Sequence, residues 1–180
     1  MMNMFGNMMP SMQYIAIRWP SSKSILKKYV LSNQIKPDLF KLCVCCLKDL
    51  NVQIKHPIIR ALKKLCDDCL KNPTCNSYHN SHHFKSVILI SSIFAKILKL
   101  KDFENLLLIL IALTHDFKHQ GRRVIKKPYY QEIKTLNYLK PKIFKYFLNF
   151  NKWKRIQRII LNTYFPNHPK TANDIVEKII

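Results

Sequence analysis

Two long apolar runs in the middle of the chain limit the folds that it can adopt. Val87–Leu98 and Leu106–Leu113 are built almost entirely of aliphatic and small residues, and the charged stretch Lys99–Glu104 separates them. Each run is shorter than the roughly 20 apolar residues that a membrane-spanning helix needs. A short charged connection allows two helices to pair antiparallel. We therefore expect two buried core helices side by side and no transmembrane segment.

The rest of the chain also favours helix. Only two glycines occur in 180 residues, which argues against an all-β fold with many tight turns and excludes a glycine-rich phosphate loop. No segment shows a convincing period of two. The sequence predicts an all-α fold, with Asp102 capping one helix that Gly121 closes. The predicted helices are Ser24–Leu31, Pro37–Leu50, Pro57–Leu70, His82–Leu100, Asp102 to about Thr114–Asp116, Tyr129–Tyr138, Lys142–Phe150, Lys152–Thr163 and Thr171–Ile180.

The charge of the chain indicates an anionic partner. Lys and Arg number 31 against 10 Asp and Glu, a formal net charge of +21. Such a balance attracts nucleic acid, membrane surfaces or phosphorylated small molecules. Charge alone does not choose among these three classes.

The cysteines indicate packing in a reducing compartment. Cys43, Cys45 and Cys46 lie in an apolar run, where cysteine behaves as a small hydrophobic residue. Cys66 and Cys69 form CDDC, which could be half of a zinc site, but a second pair is missing. The Met-rich N-terminus lacks the basic-then-apolar order of a signal peptide. We expect a cytoplasmic protein, with metal or redox chemistry as the alternative role of the cysteines.

Five of the seven histidines fall in two short stretches. One stretch is YHNSHH, with His79 and His83 four residues apart, and the other is HDFKH, which begins with His115 and Asp116 and ends with His119. Imidazoles supply neutral nitrogen ligands, and a carboxylate can bridge two cations. Antiparallel helices that begin near His83 and end near His115 would bring these groups together. The spacing therefore predicts a metal site.

The two stretches resemble the signatures of a known family. Tyr78–His83 resembles the YHNxxH signature of class I cyclic nucleotide phosphodiesterases, and Ala112–Gly121 resembles their AxxHDxxHxG signature. Both signatures belong to the HD-domain superfamily of metal-dependent phosphohydrolases. The resemblance covers Tyr78–Glu132, with a weaker continuation to His168. It implies a multi-helix HD-type bundle, in which residues 71–180 form the catalytic core and residues 1–70 form a helical extension packed on it.

The resemblance also implies roles for individual residues. His83, His115 and Asp116 would bind metal, with Asp116 bridging two ions, and His79 would be the general acid. Three residues would lie around the metals or their waters: His119, Asn80 and Glu132. Three basic residues could attract the phosphate, or could equally form a solvated surface: Lys118, Arg122 and Arg123.

The implied activity is hydrolysis of a phosphodiester, most closely a 3′,5′-cyclic nucleotide, by a hydroxide that two divalent cations activate. The cations would be Zn and Mg or Mn, and the partner would be a small phosphate ester. The family takes a further metal-binding Asp from a later helix. Here Asp174 is the only aspartate after Asp116, and its spacing is too short, so we expect a core that is incomplete at its C-terminal end.

Two alternatives remain open from the sequence. The chain could be a catalytically degenerate HD-like module that binds nucleotides or nucleic acid through its lysines. It could also carry another HD activity, such as nucleotide phosphohydrolysis.

Overall fold

The computed structural model describes residues 12–31, 37–53, 57–71, 80–117, 119, 127–143, 150–164 and 174–180. Within these residues all the regular structure is α-helical, which confirms the predicted all-α class. The helices are α1 (Met12–Ile17), α2 (Lys23–Leu31), α3 (Leu39–Asp49), α4 (Ile58–Lys71), α5 (Ser81–Ile97), α6 (Asp102–Thr114), α7 (Tyr130–Ile143), α8 (Phe150–Asn162) and α9 (Ile175–Ile179). None of these helices combines the length and the apolar character that crossing a membrane requires.

The helices α5 and α6 form the central antiparallel pair that the two apolar runs predict. Every residue of α6 from Asn105 to Thr114 is buried, so this helix is surrounded on all sides. The connection is tight because Lys99 adopts a left-handed backbone conformation (φ 52°). This lets the Leu100 N–H donate to the Ala95 carbonyl at 3.1 Å and close α5.

The other helices pack around this pair and share one hydrophobic core. Helices α1 and α3 pack on α5, α4 packs on α6 and α7, and α8 and α9 also pack on α6. The core runs from Ile15 in α1 to Val176 in α9. Helix α1 was not expected from the Met-rich N-terminal sequence, and its Ile15 is completely buried.

Two predicted helix boundaries were wrong, the N-cap of α6 and the end of α7, and the predicted end of α6 was confirmed. Lys101, not Asp102, is the N-cap of α6, and it makes no side-chain capping bond, so Asp102 is the first helical residue. Helix α6 ends at Thr114, within the predicted range Thr114–Asp116, and Gly121, the predicted closing residue, lies outside the described residues. Helix α7 continues past the predicted break to Ile143 with Pro141 inside it. Pro141 lies in the last turn, where the buried Ile143 offsets the lost hydrogen bond.

Four of the five cysteines of α3 and α4 lie in the core, and Cys45 is half-buried. Cys43, Cys46, Cys66 and Cys69 are buried free thiols. Burial raises the pKa of Cys46 to about 12, and burial likewise raises the pKa of Cys69. Thiols that resist ionisation are poor nucleophiles and poor metal ligands, so these positions fit the packing interpretation. Cys75 lies outside the described residues.

Candidate metal site

The N-terminus of α5 meets the C-terminus of α6, and local sequence sets where each helix stops. Asn80 is the N-cap of α5, and its Oδ1 accepts from the N–H groups of His82 (2.9 Å) and His83 (3.1 Å). This cap places His83 in the first turn of α5. At the other helix end the His115 N–H donates to the Ile111 carbonyl at 2.8 Å, and a turn follows through Phe117.

Three predicted ligands come together where these helix ends meet. His83 Nε2 lies 3.0 Å from Asp116 Oδ2, and His115 Nε2 lies 3.1 Å from the same oxygen. One ligand atom from each of the three residues lies within 4.8 Å of the other two. The side chains retain between 10% and 16% exposure, so the cluster is shielded but can still be reached from solvent.

The electrostatics of the cluster favour a cation. Burial disfavours the imidazolium of His115, but the charge and hydrogen bond of Asp116 outweigh burial and raise the pKa of His115. The Ala112 and Ile111 carbonyl groups act in the same direction. Two imidazole nitrogens and one carboxylate are a donor set that divalent transition metals use, with positions left open for water and substrate. The residues present therefore fit one divalent cation.

Glu132 adds a second carboxylate to this region. It lies in the first turn of α7, is only 6% exposed, and its Oε2 makes no hydrogen bond. Burial raises the pKa of Glu132, and the negative charge of Asp116 raises it further. A cation nearby would relieve the cost of burying this group.

Helix α7 is tied directly to the turn that carries Asp116. Thr135 Oγ1 donates to the Phe117 carbonyl at 3.1 Å, and the Phe117 ring stacks on Tyr138 with centroids 3.8 Å apart. The Tyr138 hydroxyl in turn donates to Asp68 Oδ2 at 2.5 Å. Sequence reasoning missed this support, because no local pattern pairs residues that lie 70 positions apart.

The remaining predicted site residues are placed as follows. His119 is half-buried and its backbone N–H donates to the Asp116 carbonyl at 3.0 Å, but its side chain is not among the three gathered ligands. Asn80 acts as the helix cap described above. Four predicted residues lie outside the described part of the chain: His79, Lys118, Arg122 and Arg123.

Asp174 is not available as a fourth ligand. Its carboxylate accepts from Arg155 Nε at 2.6 Å and also contacts Arg158 at 3.3 Å. Arg155 reaches Glu104 at 3.4 Å, in the first turn of α6. Because α6 has 13 residues, about 20 Å of helix separates this ion cluster from the turn at Asp116.

The C-terminal end of α8 lies near the start of α7. The Tyr164 ring is 4.6 Å from the Tyr129 ring, directly before the helix that carries Glu132. Tyr164, which belongs to the weaker continuation of the sequence resemblance, therefore lies near the start of α7.

Comparison with known proteins gives no relative: no family model, curated protein or solved structure matches this chain. Its function is therefore inferred from the site itself.

Proposed function

We propose that this protein is a divalent-metal-dependent phosphohydrolase, closest in type to the 3′,5′-cyclic nucleotide phosphodiesterases of the HD superfamily. The main support is the convergence of two separate sequence motifs. His83 comes from the first motif, and His115 and Asp116 come from the second, more than 30 residues later. Their ligand atoms nevertheless lie within 4.8 Å of one another.

In this proposal His83, His115 and Asp116 hold the first cation, a zinc ion. Asp116 would also face a second cation, Mg or Mn, and the negative charge of Glu132 would favour that ion. Bound cations of this kind polarise phosphoryl oxygens and lower the pKa of water, so that a nucleophile exists at neutral pH. The cluster of His83, His115 and Asp116, together with the buried carboxylate of Glu132, would be stabilised by bound cations.

Side chains of the protein would donate and accept the protons of the reaction. His79 directly precedes the Asn80 cap and, as an imidazolium, would protonate the leaving oxygen. Glu132 would accept a hydrogen bond from the attacking water through its unpartnered Oε2. The basic residues Lys118, Arg122 and Arg123 would attract the phosphate ester as it approaches.

The test is hydrolysis by the purified protein after loading with Zn together with Mg or Mn. The substrates are cyclic AMP, cyclic GMP and bis(p-nitrophenyl) phosphate. We expect metal-dependent hydrolysis that a chelator abolishes and that His115→Ala and Asp116→Ala lose by at least about 100-fold. His82→Ala is the matched control, because His82 lies beside His83 in sequence but is not in the gathered cluster. A folded, metal-loaded protein that hydrolyses none of these substrates would contradict the proposal.

A second candidate is a non-catalytic module that binds nucleotides or nucleic acid. Two observations favour it. Among the residues that the structure describes, the candidate metal cluster has only three members. The ammonium groups of Lys127 and Lys134 also lie 5.7 and 6.0 Å from the centre of the Tyr130 ring, which is partly exposed. Exposed aromatic rings beside lysines can bind single-stranded nucleic acid by stacking and charge.

This second function predicts a different response to metal and to salt. Binding of single-stranded RNA should weaken steeply as salt rises. It should also be unchanged by a chelator or by His115→Ala. Loss of RNA binding on metal removal would argue against this candidate.

A further inference from the structure

Helix α1 carries apolar side chains on its exposed side as well as on its buried side. Its six residues, MQYIAI, include no charged residue. Ile15 is completely buried, and Trp19, which follows the helix, packs edge-on against Phe94 of α5 with ring centroids 6.0 Å apart. On the outer side Tyr14 is 37% exposed and Ile17 is 73% exposed. A helix that is apolar all round is normally buried, so the outer side of α1 indicates a contact surface.

This outer side of α1 adjoins a cavity at the C-terminal end of α5. Ile17 lines the cavity together with Ile97 and Leu100, which are both half-buried. Lys96 and Lys99 line the same cavity, and none of its described lining residues is acidic. Aliphatic and basic side chains therefore belong to one continuous surface.

The exposed charges next to the apolar residues are positive. Arg18 is exposed, its Cζ lies 4.3 Å from the centre of the Tyr14 ring, and its Nη1 donates to the Tyr14 hydroxyl at 2.5 Å. Lys99 is exposed in the turn after α5. The exposed Lys101 is followed by the exposed Asp102, so these two residues together add little net charge. Arg18 and Lys99 are thus the cations that an anionic partner of this surface would meet.

The mixture of exposed aliphatic and basic side chains selects among the partners that a net charge of +21 allows. Nucleic acid would pair with the cations, but its phosphate backbone offers no aliphatic layer for Ile17. An anionic bilayer offers acidic headgroups and, directly beneath them, an acyl layer. Tyrosine is also enriched at the boundary between these two layers. The surface therefore fits a membrane better than it fits nucleic acid.

We propose that the outer side of α1 and the adjoining end of α5 bind the surface of an anionic lipid membrane. Ile17 would enter the acyl boundary, Tyr14 would lie at the level of the headgroups, and Arg18 and Lys99 would contact the acidic headgroups. The metal cluster lies at the other end of α5, about 25 Å away along its 17 residues. The proposal does not depend on the proposed hydrolysis.

Sedimentation of the full-length protein with lipid vesicles tests this proposal. Vesicles of phosphatidylcholine alone are compared with vesicles of phosphatidylcholine and phosphatidylserine, and we expect binding to the mixed vesicles. Ile17→Ser should weaken that binding at least about fivefold, because an aliphatic side chain no longer leaves water. Ile133→Ser is the matched control, since Ile133 is a 48% exposed isoleucine on α7 and its replacement should leave binding unchanged.

A second pair of variants tests the contribution of charge. Lys99→Gln should weaken binding to the mixed vesicles about fivefold, the size expected for one lysine at an anionic membrane surface. Lys64→Gln is the control, because Lys64 is an exposed lysine on α4, outside the proposed surface. Its replacement should change binding by less than about twofold, because charges far from the headgroups are screened.

Tryptophan fluorescence identifies the side of the protein that meets the bilayer. The chain has two tryptophans: Trp19 directly after α1, and Trp153, which is 2% exposed in the core. Lipids with brominated acyl chains should quench the fluorescence of the wild-type protein, and Trp19→Phe should lose this quenching.

The proposal is overturned by any of four results. These are no binding to the mixed vesicles, equal binding by Ile17→Ser and Ile133→Ser, equal binding by Lys99→Gln and Lys64→Gln, or quenching that persists in folded Trp19→Phe. The two paired comparisons decide the matter even if Trp19→Phe does not fold, because Ile17 and Lys99 are exposed and their replacement leaves the core intact.

Discussion

Asp116 and Asp174 lie at opposite ends of α6 and are used in opposite ways. Asp174 is matched by fixed positive charge from Arg155 and Arg158, and its Oδ1 also accepts from the Val176 N–H at 2.9 Å. Burial alone would raise the pKa of Asp174, but the Arg155 hydrogen bond and the helix N–H lower it overall. This carboxylate is therefore stabilised as an anion by the protein itself.

Asp116 has a different environment. The rings of His83 and His115 contact it, and the charge of a second buried carboxylate, Glu132, acts on it. An imidazole can bind a metal ion through a ring nitrogen, whereas a guanidinium stays charged and binds none. An aspartate that faces arginines, as Asp174 does, forms a structural ion pair. An aspartate that faces histidines, as Asp116 does, can instead join them in binding a metal ion.

The largest expected difference between the two aspartates is in metal binding. Asp116→Asn removes the only carboxylate in the gathered cluster and should lower zinc affinity by more than about 100-fold. Asp174→Asn should leave zinc affinity unchanged, because its ion cluster lies at the far end of α6. Elemental analysis after dialysis against buffered zinc measures both. Equal zinc content in the two variants would contradict the assignment of Asp116, and not Asp174, as a metal ligand.

The next difference is in stability. Asp174→Asn keeps an oxygen for the helix cap but removes the charge that faces Arg155 and Arg158. We expect a loss of about 1–2 kcal/mol in the free energy of unfolding, between the values for exposed and buried ion pairs. Urea unfolding measures this loss. Asp67→Asn is the control, because Asp67 is exposed on α4 and should change stability by less than about 0.5 kcal/mol.

The stabilisation from Asp174 should also depend on pH. Because its pKa is lower in the folded protein than its ordinary value of 3.8, the contribution is fully present above that value. It is lost as the pH falls through the folded pKa. Stability should therefore fall more steeply below pH 4 in wild type than in Asp174→Asn. Parallel curves for the two proteins in urea titrations at pH 2–6 would show that the ion pairs contribute little.

Substitution of Glu132 should change the free energy of unfolding by less than substitution of Asp174, and should raise it where the Asp174 variant lowers it. Glu132→Gln removes a buried charge whose Oε2 is unpartnered, and should stabilise the metal-free protein by about 1 kcal/mol while it lowers hydrolysis. Glu104→Gln, which loses its contact with Arg155, should instead destabilise by less than about 1 kcal/mol. Thermal unfolding in the presence of a chelator tests whether Glu132→Gln is stabilised and Glu104→Gln is destabilised. A destabilising Glu132→Gln would show that the carboxylate is already satisfied in the metal-free protein.

The features that could be predicted from the sequence are local ones. Helical spacing of apolar residues indicated the positions of α4 and α8, and the two apolar runs indicated the pairing of α5 and α6. The short motifs picked out His83, His115 and Asp116, because their spacing relative to helix ends is itself a local property. Helix α1 was missed because its six residues, MQYIAI, span fewer than two helical turns and carry little periodic signal.

Other features depended on contacts between distant parts of the chain. Tertiary packing decided that Tyr138 reaches Asp68 behind the Asp116 turn and that Asn105 is buried with an unpaired oxygen. Tertiary packing also gave the last two aspartates, Asp116 and Asp174, different partners. The sequence by itself determined an all-α chain with metal-ligand types at two helix ends. Only the tertiary structure decided which carboxylate meets imidazoles and which meets arginines, because partner choice depends on distances across the core and not on spacing along the chain.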